Sequence, residues 1–167
     1  MVTIRDYIDK CDFVINTLLD EQEKVIYKNE NEIIRLNTSQ FESGNGNDDN
    51  SLKHNSPIFK GVYSLSTQLA NPKKVAGSLY DFYDTGSFLS GLQIEVDGSL
   101  TRFSIFSTGT GAGDKKLFFD NYRNLFGLNK ENTRKLNLEI LQPELMNYIK
   151  RYLWYFKRQN TTIASKH

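Results

Sequence analysis

From Thr3 to Gln40 the chain carries neither glycine nor proline, and this stretch limits the possible folds more than any other. Ile4, Ile8, Cys11, Ile15, Leu18, Val25 and Ile33 recur at helical spacing, and Tyr7, Leu19, Ile26 and Leu36 widen the stripe. Thr3, with Asp6 three residues on, forms a relative of the capping box. The pattern predicts one helix over residues 3–40, which at 1.5 Å per residue would span roughly 55 Å. A single domain of 167 residues does not need a helix of that length. Either part of it packs on another chain, or it is a solvated amphipathic helix folded back on its own domain.

The densest apolar run is Leu79 to Phe106, and its second half reads as a hairpin. Leu92, Ile94 and Val96 alternate with Gln93, Glu95 and Asp97, the period of a strand with one buried face. Asp97-Gly98 suits a two-residue turn. That turn sets Val96 opposite Ser99, Ile94 opposite Thr101 and Leu92 opposite Phe103. Phe103 and Ile105 then share the buried face, while Leu100 and Phe106 are apolar exceptions on the other. A lone hairpin is marginal, so further strands, from this chain or a partner, are expected.

Composition removes several classes of function. The net charge is +1, from 21 basic and 20 acidic side chains, which carries no nucleic-acid footprint at the level of the whole chain. Cys11 is the single cysteine and His54 and His167 the two histidines, which argues against a disulfide framework and a Cys- or His-based metal site. No signal peptide is visible and no apolar run approaches the ~20 residues of a bilayer span. The expectation is a soluble protein made in a cytoplasm, with no cofactor. The 11 Phe and 9 Tyr suit a packed core or a subunit interface.

Between and after these elements, Gly44 to Ser56 reads as a polar loop with almost nothing to bury, and its Asn and Asp residues lack calcium-loop spacing. Ser64 to Asn71 predicts a short helix stopped by Pro72, and Lys73-Lys74 a solvated basic tip. The glycines of Ser107 to Lys116 fail the phosphate-loop spacing, since Asp114 stands where the second glycine belongs. That segment, including Gly109 to Gly113, reads as a flexible glycine loop between strand and helix. A helix is expected from Asp114 to Leu125, ended by Gly127. Asn129 caps another, with Leu138, Leu141, Leu145, Ile149, Tyr152 and Phe156 along one side and Pro143 either kinking it or opening a new helix. Trp154 and Tyr155 are aromatic for a solvated face and mark a contact surface; residues 159–167 read as a flexible tail after a single domain over 1–158.

Phe82-Tyr83-Asp84-Thr85-Gly86-Ser87 matches the aspartic-peptidase signature, which needs two carboxylates sharing a proton across a dimer axis. Leu125-Phe126-Gly127 supplies a partial second signal. The helical first quarter and the long helices after Gly127 oppose this reading. The simpler account makes Asp84, Thr85 and Gly86 a cap and turn, with Phe88 and Leu89 in the core.

Taken in order, Asn29 to Gln40, Leu79 with Asp84, Thr85, Gly86 and Phe88, and Phe126-Gly127-Leu128 resemble phrases of the tail-completion, or virion-morphogenesis, proteins of tailed phages. The likeness is to versions from crAss-like phages of Bacteroides-like hosts and covers roughly residues 25 to 130. The resemblance implies an α+β fold: a long N-terminal helix, a small twisted antiparallel sheet with a central hairpin, and C-terminal helices packed on it. It implies a structural virion protein made in the host bacterial cytoplasm. Copies would form a homo-oligomeric ring in the neck or upper tail, against portal, connector and tail proteins, with DNA passing nearby and not read by sequence, and no membrane involved. Under that reading Asp97, Gly98 and Gly127 are structural turns. Tyr7, Leu18, Ile26, Leu100, Phe106, Trp154 and Tyr155 are the expected subunit contacts.

Overall fold

The computed structural model describes residues 3–50, 52, 62–80, 82, 87–100, 102–108, 122 and 124–163, with backbone alone at 87 and 154–163. The fold is mixed α+β and mostly helical. Helix α1 (Ile4–Lys28) leads into α2 (Glu30–Glu42); short helices α3 (Leu65–Ala70) and α4 (Ser87–Ser90) follow. Strands β1 (Leu92–Val96) and β2 (Phe103–Ser107) pair antiparallel. Helix α5 (Lys130–Lys135) passes through a π-helical segment (Leu136–Leu141) into α6 (Gln142–Ile163).

The N-terminal run is two helices, not one. Thr3 and Asp6 close a full capping box at its start. At Asn29 the backbone leaves helical geometry, and the Asn29 amide donates back to the carbonyl of Val25. No glycine or proline makes this break; what compensates it is the hairpin edge. The outward N–H of Ile94 donates to Glu30 Oε1 at 3.1 Å, and that of Val96 to the Tyr27 hydroxyl at 3.4 Å. Residues on either side of the break thus satisfy β1's free edge, so no further strand is needed there.

The hairpin keeps the expected buried face but not the expected register. Leu92 faces Ser107, Ile94 faces Ile105 and Val96 faces Phe103. The shift is an even number of residues, so side chains stay on their own faces. It sets Ile94 on Ile105 and Val96 on Phe103, where the tight turn would have offered Thr101 and Ser99; apolar pairs decide the register. The wider loop is held by Asp97, whose N–H donates to Arg102 O and whose carboxylate accepts from the Ser99 hydroxyl. Gly98 is not at positive φ; Leu100 is, at 57°.

The core joins Ile26, Ile33, Leu36 and Phe41 of the first two helices to Phe88, Leu92, Ile94, Ile105, Leu125 and Leu136. The stretch expected to bury almost nothing contributes to it: Gly44, Gly46 and Leu52 are buried. Asn47 donates from its backbone to Asn124 O at 2.8 Å and from its side chain to Phe126 O at 2.6 Å, while Asn124 Nδ2 donates to Asp48 Oδ1. A β-carbon at Gly46 would lie 2.6 Å from Asn124 O.

The C-terminal helices differ from expectation in two ways. The π-helical segment admits Pro143 near the start of α6 without a stop, because its wider turn tolerates a missing N–H. Within it Leu138, expected on the inner stripe, faces solvent while Leu136 is buried, and beyond it Tyr148 is buried. Helix α6 continues through residues 159–163, where a tail was expected to begin. Elsewhere α3 forms inside Ser64 to Asn71, where a short helix was expected, and Ser64 caps it. Lys74 is not a solvated tip: it is buried, with Nζ 5.2 Å above the Tyr63 ring.

Two glycine substitutions separate these packings. Gly46→Ala is expected to destabilise the protein by about 2–3 kcal/mol, since the new methyl meets backbone. Gly98→Ala, at ordinary φ with open space around it, is expected to stabilise it by about 0.5 kcal/mol. A two-residue turn would reverse the second sign. Urea denaturation of both variants reads the difference.

Candidate interaction surface

Beyond the core, α1 and α6 run antiparallel as an arm. Thr17 Oγ1 lies 2.6 Å from the Tyr148 hydroxyl, the Phe13 and Tyr152 rings are 5.2 Å apart, and Lys28 Nζ donates to Glu144 Oε1 at 2.6 Å. The flank of α1 that meets α6 is therefore Phe13, Val14 and Thr17. It is not the isoleucine stripe singled out by spacing. Sequence reasoning missed this flank because a Phe and a Thr four residues apart carry little periodic apolar signal. Of its partners on α6, Tyr152 falls in the stripe read from spacing and Tyr148 does not.

The isoleucine stripe points elsewhere and stays uncovered. Ile4 is 83% exposed, Ile8 52% and Ile15 67%. Farther along, Gln22 and Ile26 line a cleft with Phe103, Leu136 and Leu141, so the stripe enters the core at its C-terminal end. Ile26 is only 2% exposed and is a core residue, which corrects its expected place in a subunit contact. Tyr7 is exposed; Leu18, Leu100 and Phe106 are half-buried. Trp154 and Tyr155 lie on the α6 backbone, and their side chains fall outside the described residues.

A second apolar surface sits on α3 and the turn after it. Leu65 is 66% and Leu69 77% exposed, one helical turn apart, and Val75 and Leu79 are exposed on the following segment. Nothing in the spacing of this short helix distinguished a covered face from an open one.

The turn residues divide likewise. Asp97 and Gly98 lie in the hairpin loop described above, and Gly127 holds φ at 107°. The Gly127 carbonyl accepts from Asn37 Nδ2 at 2.9 Å and Gln40 Nε2 at 3.0 Å. Asp84, Thr85, Gly86 and the 109–121 segment lie outside the described residues. Of the elements beside that turn, Phe88 is buried and Leu89 packs on the core.

Tyr80, Phe82 and Tyr122 form an edge-on aromatic cluster, with Tyr80 and Tyr122 rings 6.2 Å apart. Burial pushes the Tyr122 phenol well above its ordinary value, and the neighbouring Tyr80 and Tyr63 add to it; burial likewise raises Tyr80. Among the described residues no helix is long and apolar enough to cross a membrane. No family model matches the chain, and neither curated proteins nor solved structures return a match.

The phenols predict an alkaline limit. Their folded values lie above the unfolded value of about 10, so the unfolded chain gives up its protons first. The stability they contribute is fully present below that pH and is lost as pH rises through the folded values. Chemical denaturation is expected to show a stability loss above about pH 10 that Tyr122→Phe reduces.

Proposed function

We propose that the chain is a non-enzymatic structural subunit of a tailed-phage neck or upper-tail ring, joining portal or connector to tail around the DNA channel. The observation that carries the assembly part is exposed apolar surface in two separate places, the α1 stripe and the α3 patch. A ring closes head to tail, so the α3 patch meets a different surface of the next copy, and the α1 stripe is left for a second contact. Apolar side chains left in water on both supply the driving force when copies meet. The virion part is supported by the order of the short phrases around Asn29 to Gln40, Leu79 to Phe88 and Phe126 to Leu128.

In this role the working parts are passive. Repeated burial of apolar contacts around the ring seals the conduit, and the hairpin and buried core keep each subunit rigid while neighbours load it. DNA passes without being read.

Native mass spectrometry followed by electron microscopy tests the reading. Closed rings of more than two copies are expected, and Leu69→Asp is expected to abolish them while leaving the circular dichroism unchanged. A species no larger than a dimer that cleaves peptides at acid pH, and loses that activity on Asp84→Asn, would replace this reading with an aspartic peptidase.

A further inference from the structure

The uncovered stripe of α1 has a stricter spacing than an ordinary amphipathic face. Ile4, Ile8, Cys11, Ile15 and Leu18 alternate steps of four and three, the seam of a coiled coil. Among the described residues, the side-chain contacts of helix α6 fall on Phe13 and Thr17 and not on this stripe. The seam ends where Val25 and Ile26 are buried by the chain's own core.

We propose that this seam pairs, antiparallel, with the same seam of a second copy of this chain. Three observations select that occupant and its register. First, a parallel pairing would bring both cores to the same end of the arm, against the buried Val25 and Ile26; an antiparallel one places them at opposite ends. Second, the alignment with its two-fold axis between Asp9 and Lys10 sets Ile4 on Ile15 of the second copy and Ile8 on its Cys11, which fills the seam with apolar layers. Third, this alignment brings Arg5 beside Asp12 of the second copy, twice by symmetry, and both residues are exposed. Sliding by one heptad brings Asp12 against Asp12 and Ile4 against Gln22, which sets like charges together and a polar group in the seam.

The contact is isologous, so it closes at two copies and is not the contact that closes a ring. It goes beyond the virion reading and stands or falls separately. In a ring it would join subunits of two stacked rings; without a ring it leaves a dimer.

Disulfide trapping tests it on the full chain. Ile4→Cys/Cys11→Ser mixed with Ile15→Cys/Cys11→Ser is expected to give a covalent dimer under mild oxidation, while each variant alone stays uncrosslinked. Like-with-like crosslinks would indicate a parallel seam and overturn the proposal. So would the absence of any crosslink with a monomeric mass at all concentrations. A charge reversal guards against misfolding, because it touches only exposed groups. Arg5→Asp is expected to weaken dimerisation roughly tenfold, and adding Asp12→Arg to restore it. Unchanged dimerisation in Arg5→Asp, or no rescue, would refute the register. Rings without the crosslink would sink this contact alone; the crosslink without rings would sink the ring alone.

Discussion

The buried amide cluster around Gly127 fixes how the two halves of the chain meet. Asn37 and Gln40 of α2 reach the Gly127 carbonyl, and Asn37 reaches Leu125 O as well. Gln40 Oε1 accepts from the Asn129 N–H at 2.7 Å and from Asn132 Nδ2 at 3.0 Å, and Asn132 also donates to Leu36 O. A buried amide left without a partner costs about 1–3 kcal/mol, so these groups are held in one arrangement. Gly127 at positive φ is what turns its carbonyl toward both donors. Once the chain crosses α2 at this point, with Asn129 capping α5, the direction of α5 and α6 back along α1 follows.

That direction produces the arm, and the arm produces the exposed surface. Helix α6 can cover one flank of α1 and no more. It takes the flank with Phe13 and Thr17, where an aromatic pair, a hydroxyl pair and the Lys28–Glu144 ion pair locate it. The ion pair is largely exposed and adds little by itself. The isoleucines that a reader of the sequence would place in the core are thereby left outside. Their position is a consequence of the crossing geometry at Gly127, which no single-helix pattern contains.

What the sequence showed and what it hid follow from the range of the forces involved. Elements set by local periodicity and caps were legible: the Thr3 and Asn129 caps, α3 ahead of Pro72, and the alternating face of the hairpin. Features set by contacts between distant segments were not. The hairpin slipped by an even number of residues because Ile94 and Ile105 attract more than the Asp97-Gly98 turn constrains. The break at Asn29 lacks a helix-breaking residue because the β1 edge compensates it. The polar loop after Gly44 looked unburied because its contribution is backbone hydrogen bonds and glycine approach, which leave no apolar mark. Of the surface, the isoleucine stripe was legible as apolar; that it would remain uncovered, and that Ile26 would belong to the core, was not.

Ile26 shows how the two roles of α1 are separated along one helix. It shares a face with Ile8 and Ile15, yet the core covers it while they stay in water. The boundary falls near Gln22, the one polar residue in the seam, which lines the cleft beside Phe103 and Leu136. An apolar residue there would extend the seam into the core and blur its register, because a repeat of equivalent layers can slide by a heptad at little cost. A glutamine limits the sliding, since the shifted alignment must bury its amide against Ile4 without a partner. The residue that ends the free face also specifies how that face can be filled, and so α1 can serve the fold at one end and a partner at the other without the two competing.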